Sequence, residues 1–376
     1  MEKTDSNRKR LCIILPTHWL KKMGGAQYQI KCLVDLWVPK RYFDIILLCR
    51  NSVERKAGNE YRLITFKAMD RLSRYGRVFD IWHLYKSLKL IDPDIIYQKI
   101  GTAYAGAAAF YAKRFKKFFT LHLASDNDLV PMKPSFKFKS WIPYIDKKIL
   151  HYGIRNADCI IAQTRFQQSL LKKYFNIDNS YVVPNFQPVP ESPPPKKETI
   201  KVLWVANLKR LKQPELFIKL AQEFETIDSS IKFFMVGAPA SWEHQWQEKI
   251  SNAIRQTQNL TYLGLQPLNK VNDLFRESHI LINTSLYEGF SNTFIQAWFN
   301  EVPVISLNCN PDDILEKYKI GLFCNGSYKR MLSGLKRMIH EEGLRDKMGK
   351  ASRAYAEKNH SLNNTRVILD LLRSSK

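Results

Sequence analysis

Short apolar segments rich in β-branched and aromatic residues recur along the chain and constrain its fold more than any other feature. They form two series, are separated by stretches of helical periodicity, and are mostly apolar on both faces, as is typical of parallel strands buried in α/β sheets. The first series is 11–15, 43–49, 94–97, 118–123, 159–162 and 181–183; the second is 201–205, 231–236, 260–263, 279–282 and 302–305. The sequence therefore predicts two Rossmann-like α/β domains.

Prolines separate the two series. Residues 184–197 contain six of the chain's 17 prolines, which favours an extended, semi-rigid linker over a helix or a central strand. A length of 376 residues suits two domains. We predict an N-terminal domain over 1–189, a linker over 190–198 and a C-terminal domain over 199–356.

Positive charge is concentrated in the first half of the chain. Residues 1–190 carry 33 basic and 15 acidic side chains, a balance of +18 out of +24 for the whole chain. Such a field attracts nucleic acid, an anionic membrane or a phosphorylated substrate. Within this half, 110–119 and 136–144 interleave aromatic residues with cations. That pattern suits an anionic lipid surface, single-stranded nucleic acid, or simply a solvated face over a core.

The remaining composition indicates a cytoplasmic protein. No apolar run approaches the ~20 residues that span a bilayer, and 11–15 is too short for the apolar core of a signal peptide. The six cysteines are scattered and lack the spacing of metal-binding or redox motifs. We therefore expect buried, reduced thiols.

A glycine pair, Gly24-Gly25, follows the first predicted strand and precedes a helix with apolar residues at helical spacing. Such a turn lets backbone N–H groups approach an anion at the helix N-terminus. The pair alone is equally compatible with a plain tight turn.

The segment 287–298 carries the most chemical information. It follows a predicted buried strand, and Ser291 is a candidate N-cap for a helix that begins at Asn292. Glu288 then lies in the turn at the carboxyl edge of the sheet, where α/β proteins bind ligands. By itself the pattern also fits a capped helix with a solvated glutamate.

A family resemblance makes these motifs specific. Tyr-Glu-Gly-Phe-Ser-Asn-Thr-Phe at 287–294, followed by Val-Pro-Val-Ile at 302–305, resembles the donor-site signature of family 4 glycosyltransferases. Val-Ala-Asn-Leu and the later Lys, Pro and Glu-Leu-Phe within 205–217 are similar to that family's Gly-Arg-Leu…Lys-x-Pro-Glu-Leu segment. Gly-Gly-Ala at 24–26 matches its glycine loop, and Val-Val-Pro-Asn at 182–185 resembles its Val-Ile-Pro-Asn.

The resemblance implies the GT-B fold, an α/β fold in which two Rossmann-like domains face each other across a cleft. It implies that the C-terminal domain binds a nucleotide sugar, that the N-terminal domain binds the acceptor, and that a final helix at about 357–376 returns to the first domain. It further implies transfer with retention of configuration, without a cofactor or metal ion, from a UDP-, GDP- or ADP-sugar.

The resemblance also assigns roles to residues of this sequence. Lys212 is expected to bind the diphosphate, Glu288 the sugar hydroxyls, and His122 to face the reacting centre; these are the predicted catalytic residues. The predicted nucleotide-sugar-binding residues are Gly24, Gly25, Asn207, Lys212, Gly289, Phe290, Ser291, Asn292, Thr293 and Gln296.

Two of these positions depart from the family pattern. Gln296 stands where the family usually has a second glutamate for the ribose hydroxyls, and a neutral acceptor is weaker than a carboxylate. Asn207 aligns with a diphosphate-binding arginine. Lys209 or Arg210 is a candidate substitute, although lysine is a point charge and not a bidentate fork.

Asp126, just beyond His122, is either a carboxylate near the acceptor or a turn-forming residue. Its Asp-x-Asp spelling is not read as a metal site, because the surrounding sequence does not fit that motif.

The sequence thus predicts a metal-independent, hexosyl-type glycosyltransferase acting on a glycan or lipid-linked glycan in cell-surface polysaccharide biosynthesis. The basic N-terminal domain is expected to dock on the anionic inner face of the cell membrane. Three alternatives stay open: a catalytically silent homologue that serves as a scaffold, a sugar-nucleotide epimerase of the same fold, and a nucleic-acid-binding protein.

Overall fold

The computed structural model describes residues 8–21, 23–50, 61–67, 76–133, 141–239 and 244–375. The chain forms two compact units. The first comprises Met1–Phe186 and Leu362–Lys376, and the second comprises Gln187–Ser361. The predicted linker over 190–198 therefore belongs to the second unit.

The first unit is built on a parallel sheet that has seven strands in the described residues, in the order β3-β2-β1-β4-β5-β6-β7. The strands are β1 Arg10–Leu15, β2 Asp44–Arg50, β3 Arg62–Phe66, β4 Ile95–Gln98, β5 Phe118–His122, β6 Cys159–Ala162 and β7 Tyr181–Val182. The helices are α1 Gly25–Trp37, α2 Gly76–Phe79, α3 Ile81–Ile91, α4 Ala103–Phe115, α5 Trp141–Arg155, α6 Arg165–Phe175 and α14 Asn364–Arg373.

Burial on both faces of this sheet explains the unbroken apolar runs of the sequence. Along β1, Cys12 and Ile14 face a core shared with α3 and α4. Leu11, Ile13 and Leu15 face a second core, which α1 and α14 complete. Because successive side chains of a strand point to opposite faces, a strand covered on both sides is apolar throughout.

The second unit repeats the architecture with a parallel sheet of six strands within the described residues, in the order β10-β9-β8-β11-β12-β13. The strands are β8 Lys201–Val205, β9 Lys232–Val236, β10 Leu260–Tyr262, β11 Ile280–Asn283, β12 Val304–Ser306 and β13 Gly321–Phe323. The helices are α7 Pro214–Ile227, α8 His244–Gln256, α9 Leu268–Glu277, α10 Asn292–Phe299, α11 Ile314–Lys317, α12 Tyr328–His340 and α13 Glu342–His360.

The proline-rich segment is anchored to the second unit by Lys196. The Lys196 ammonium donates to the backbone carbonyls of Arg276 at 2.7 Å and Asn300 at 3.0 Å. These carbonyls lie at the carboxyl ends of α9 and α10, where orphan carbonyls and the helix dipole both favour a cation.

The helical segment at the carboxyl end is two helices. α13 ends at His360, and α14 begins at Asn364 and buries Ile368, Leu369 and Leu372 in the first unit. None of the helices among the described residues combines the length and apolar character needed to traverse a lipid bilayer.

Candidate active site

The topology of the second sheet brings the two strongest motifs together. Its first strand, β8, lies beside β9 on one side and β11 on the other, so the chain leaves the carboxyl ends of β8 and β11 in opposite directions. Such a switch point is where open α/β sheets bind ligands. Lys212 follows β8, and Glu288 follows β11.

Lys212 and Glu288 form an ion pair at this point. The Lys212 Nζ lies 3.0 Å from Oε1 of Glu288, and the two side chains are 21% and 17% exposed. The same oxygen accepts hydrogen bonds from Nδ2 of Asn283 at 2.9 Å and Oγ of Ser285 at 2.7 Å. No described residue bonds the other oxygen, Oε2, so the carboxylate is held through one oxygen only.

The surroundings of Glu288 keep its carboxylate charged. Burial by itself raises the pKa, but the Lys212 charge and the hydrogen bonds from Ser285 and Asn283 outweigh burial and hold the pKa below its ordinary value. Glu288 is therefore an anion at neutral pH, suited to accept hydrogen bonds rather than to donate a proton.

Hydrogen bonds join the turn that contains Lys212 to the loop that follows β11. Thr284 Oγ1 donates to the Lys212 carbonyl at 2.6 Å, and the Leu286 amide donates to the Leu211 carbonyl at 2.9 Å. The buried Trp204 donates through Nε1 to Thr284 at 2.9 Å. The backbone segments that carry Lys212 and Glu288 are thus joined to each other by hydrogen bonds.

The helix after Glu288 begins at the predicted residue and has the predicted N-cap residue. α10 starts at Asn292 and Ser291 is the N-cap residue, yet the Ser291 hydroxyl bonds Oγ1 of Thr293 at 2.8 Å instead of a backbone N–H. A neighbouring hydroxyl thus takes the place of the backbone N–H as the partner of the Ser291 side chain. The first turn of the helix keeps N–H groups that have no intrahelical acceptor.

The other predicted residues of this turn have different surroundings. Gly289 is buried, and the Phe290 ring packs 4.7 Å from the His360 ring, which makes it part of the core. The Asn292 carbonyl accepts a hydrogen bond from Nε2 of Gln187 at 2.9 Å.

Gln296 lies on the buried side of α10 and is paired with α9. Its Nε2 donates to Oδ1 of Asn272 at 2.9 Å. Because a glutamine amide has one donor and one acceptor end, this bond engages the donor end and leaves the carbonyl oxygen outside the contact with Asn272. The role of Gln296 as an acceptor for ribose hydroxyls stays a prediction.

Asn207 follows β8 and is bonded to the neighbouring loop. Its Oδ1 accepts from the Ala238 amide at 3.3 Å. Arg210, one candidate substitute for the missing arginine, lies over the Trp246 ring at 5.3 Å.

Gly24 and Gly25 lie at the beginning of α1 in the first unit. Gly24 is the N-cap residue in extended conformation, without a side-chain cap, and Gly25 is the first helical residue. This is the strand-to-helix turn that the sequence predicted, at the switch point between β1 and β4.

His122 ends β5 and is fully buried. Its Nδ1 lies 2.6 Å from the Tyr97 hydroxyl, and its Nε2 lies 2.8 Å from Nζ of Lys99. Lys99 is only 1% exposed and forms no ion pair with any described residue. Burial lowers the pKa of Lys99 and, together with the neighbouring lysine, the pKa of His122. The histidine is therefore part of a neutral, buried network.

Asp126 begins a 3-10 turn, and its Oδ1 accepts from Nε2 of Gln167 at 2.9 Å. In the same turn, burial raises the pKa of Asp128 to about 7, against the opposing charge of Lys147. Nε2 of His151 lies 3.1 Å from the Asp128 carbonyl.

Two protein-family models together match most of the chain. Residues 23–187 match the family described as Glycosyltransferase Family 4, and residues 186–355 match Glycosyl transferases group 1. The chain belongs to the family 4 glycosyltransferases. Over 216 residues it is 23% identical to the poly(ribitol-phosphate) α-N-acetylglucosaminyltransferase of Staphylococcus aureus (strain COL). That match covers 55% of this chain and 42% of the relative, so the chain spans less than half of that curated protein.

Solved structures agree with this membership at the level of the fold. Anabaena HepE in complex with UDP and glucose superposes with a TM-score of 0.76 at 14% identity, covering 97% of this chain and 100% of HepE. WaaG, a glycosyltransferase involved in lipopolysaccharide biosynthesis, gives 0.78 at 14% identity, with the same coverage. The predicted fold class, an α/β GT-B fold of two Rossmann-like domains, is confirmed.

Several polar residues of this family 4 glycosyltransferase were not singled out from the sequence. Asn283 and Ser285 directly follow the predicted strand 279–282, and polar residues after a buried strand are a usable signal. Lys99 is also a polar residue directly after a buried strand, β4. The sequence contains no comparable signal for Asn272, because its contact with Gln296 joins two different helices.

The two aromatic and basic segments also have defined places. In 110–119, Phe110 and Phe115 are exposed whereas Tyr111 and Phe119 are buried. Of 136–144, residues 136–140 lie outside the described residues, and Trp141 is exposed at the beginning of α5.

Proposed function

We propose that this family 4 glycosyltransferase moves a hexosyl-type sugar from a nucleotide diphosphate sugar to a glycan or lipid-linked glycan, with retention of the anomeric configuration. The observation that carries the proposal is the 3.0 Å pair between Lys212 and Glu288 at the switch point of the second sheet. A cation and a carboxylate side by side suit the two parts of such a donor, the diphosphate and the sugar hydroxyls.

The reaction needs stabilisation of a departing diphosphate. As the bond between the anomeric carbon and the phosphate oxygen breaks, negative charge accumulates on that oxygen. Lys212 and the N–H groups of the first turn of α10 supply fixed positive charge for it. Glu288 Oε2 accepts a hydrogen bond from a donor hydroxyl. We propose that these groups act without a metal ion.

The relatives support a uridine nucleotide as the first donor to test. HepE was solved with UDP and glucose, and the staphylococcal relative is named for N-acetylglucosaminyl transfer to poly(ribitol phosphate). By analogy, we place the reaction in cell-surface polysaccharide biosynthesis.

We propose a cytoplasmic location at the inner face of the membrane. All six cysteines are buried thiols outside any disulfide, which supports a reducing compartment. The excess of positive charge in residues 1–190 supports an anionic surface as partner.

Calorimetry with UDP, GDP, ADP and CMP, each with EDTA, tests the donor site. We expect one diphosphate to bind and Lys212→Ala to weaken that binding by about 10- to 100-fold, as loss of a charged hydrogen bond does. Lys232→Ala is the matched control, because Lys232 is the first residue of β9. It therefore lies at the amino ends of the strands, whereas Lys212 follows the carboxyl end of β8.

Each alternative predicts a different result. Binding of no diphosphate contradicts the proposal and favours a silent homologue. Conversion of donor without acceptor indicates an epimerase, and salt-sensitive binding to oligonucleotides as the dominant activity indicates a nucleic-acid-binding protein. For a transferase, an α-configured product from an α-configured donor, read by NMR coupling constants, tests retention.

A further inference from the structure

The outer faces of α3 and α4 carry exposed apolar side chains that no core uses. Leu90 is 88% exposed, Trp82 59% and Phe110 53%. Tyr85 joins them, because its ring lies 5.9 Å from those of both Trp82 and Phe110. We call Trp82, Tyr85, Leu90 and Phe110 the α3–α4 aromatic surface.

Exposed cations lie beside the aromatic residues of this surface. The exposed residues Lys86, Lys89, Lys113, Arg114 and Lys116 lie along the two helices or directly after α4. In the part of the chain that the structure describes, none of the five forms an ion pair. Neither α3 nor α4 contains an aspartate or glutamate.

Aromatic rings and cations on one face match the interface of an anionic bilayer. Tryptophan and leucine side chains gain from entering the boundary between headgroups and acyl chains, and lysines gain from anionic headgroups. The Nζ of Lys86 lies 5.1 Å from the centre of the Trp82 ring. A positive charge and an aromatic ring are therefore adjacent on this surface.

Single-stranded nucleic acid fits the same surface less well. Bases bind such proteins by stacking on aromatic faces. Here a base would have to compete with Tyr85, which stacks on Trp82 at an interplanar angle of 12°, and with Lys86. The arrangement therefore favours headgroups and acyl chains over bases.

We propose that the α3–α4 aromatic surface docks on a bilayer that contains anionic lipids and inserts Trp82, Leu90 and Phe110 at its interface. The proposal rests on the proposed function for its purpose, which is to bring the enzyme to a lipid-linked acceptor. The sequence predicts membrane-binding segments at 110–119 and 136–144. The contribution of α3 to this surface is visible only in the structure.

Sedimentation with vesicles tests this proposal on the full chain. Vesicles of phosphatidylcholine alone are compared with vesicles that contain about 30% phosphatidylglycerol, whose negative surface potential attracts basic segments. We expect binding to the anionic vesicles, release by salt, and a loss of about tenfold or more in Trp82→Ser/Phe110→Ser. Leu265→Ser/Ile227→Ser, two exposed apolar positions of the second unit, should bind like wild type.

A second readout separates insertion from mere attraction of charge. Brominated lipids should quench tryptophan fluorescence of the wild type, and Trp82→Phe should lose most of that quenching while still sedimenting. Equal sedimentation of the Trp82→Ser/Phe110→Ser variant and the wild type would overturn the proposal, and so would tighter binding to oligo(dT) than to anionic vesicles. UDP binding by the wild type and the same variants is measured in parallel. UDP binding tests the second unit, so its absence in all of these proteins would count against the proposed donor site and not against membrane docking.

Discussion

At the scale of single residues, Glu288 is the most consequential side chain of the second unit. Three groups hold its Oε1, and Oε2 has no partner among the described residues. Glu288→Ala should lower kcat by two or more orders of magnitude, as loss of about 2.7–4 kcal/mol of transition-state stabilisation does.

Glu277→Gln is the control for Glu288, because Glu277 forms a comparable 2.6 Å pair with Lys201 at the amino edge of the same sheet. Its turnover should match wild type. Turnover of Glu288→Ala close to wild type would contradict the assignment of the site.

Asp128 should make folding stability depend on pH. Its pKa in the folded protein is raised to about 7 by burial, above an unfolded value near 4. The folded state therefore binds more protons between these values, and stability is lost as the pH rises from about 4 through 7. Lys147 and His151 face the same turn, and both have lowered pKa values.

Urea unfolding of the wild type and Asp128→Asn at pH 4.5 and 7.5 measures this contribution. The fall in the free energy of unfolding should be smaller in the variant, by about 1.4 kcal/mol for each unit of pKa shift removed. An equal fall in both proteins would assign the pH dependence to other groups.

At the scale of elements, the close approach of the two segments that follow β8 and β9 depends on one glycine. Gly237 has φ +150°, and a Cβ placed there would lie 1.7 Å from the Ala206 carbonyl oxygen. The next residue, Ala238, donates to Asn207, so a shift of this loop would reach the proposed donor site.

Gly237→Ala should lower the free energy of unfolding by about 3 kcal/mol or more, because a forbidden backbone angle and a backbone clash combine. In Gly343→Ala, the added methyl group meets no atom within 4 Å on helix α13. That variant should be neutral or slightly more stable. Comparable thermal unfolding of both variants would show that the approach of the strands is not tight.

Most elements were readable from the sequence because burial leaves a local signature. Every predicted apolar run corresponds to a strand, with ends that agree to within two residues. The runs missed were β3 and β13, each at the edge of its sheet. β3 begins with Arg62 and is exposed along part of its length, so it does not form a continuous buried run. β13 begins with Gly321, a residue type that is depleted in strands.

The candidate site was predictable to a lesser degree. Lys212 and Glu288 were identified by motif, and their ion pair follows from the position of both at one switch point. The amide pair of Gln296 with Asn272 and the burial of His122 against Lys99 depend on tertiary contacts. No spacing in the sequence encodes such contacts.

At the scale of the whole molecule, stability of the first unit depends on residues that lie far away in sequence. Ile368 is fully buried on α14, whereas its neighbour Val367 is 45% exposed. Ile368→Ala should lower the free energy of unfolding of the first unit by about 2–5 kcal/mol. Val367→Ala should change it by no more than about 0.5 kcal/mol.

Hydrogen exchange distinguishes the two units in this experiment. Faster exchange in β1 and β2, with unchanged exchange in β8 and β9, is expected for Ile368→Ala. Uniform acceleration in both sheets would mean that the units unfold together.

The divided first unit has a consequence for synthesis on the ribosome. The second unit is one continuous stretch, Gln187–Ser361, whereas the first needs Leu362–Lys376 to close its core. During translation the seven-stranded sheet therefore waits, with the apolar face beneath α14 uncovered, while 175 residues of the other unit emerge and fold. Nascent chains interrupted before residue 362 expose that face, and this makes them natural clients of chaperones and proteases.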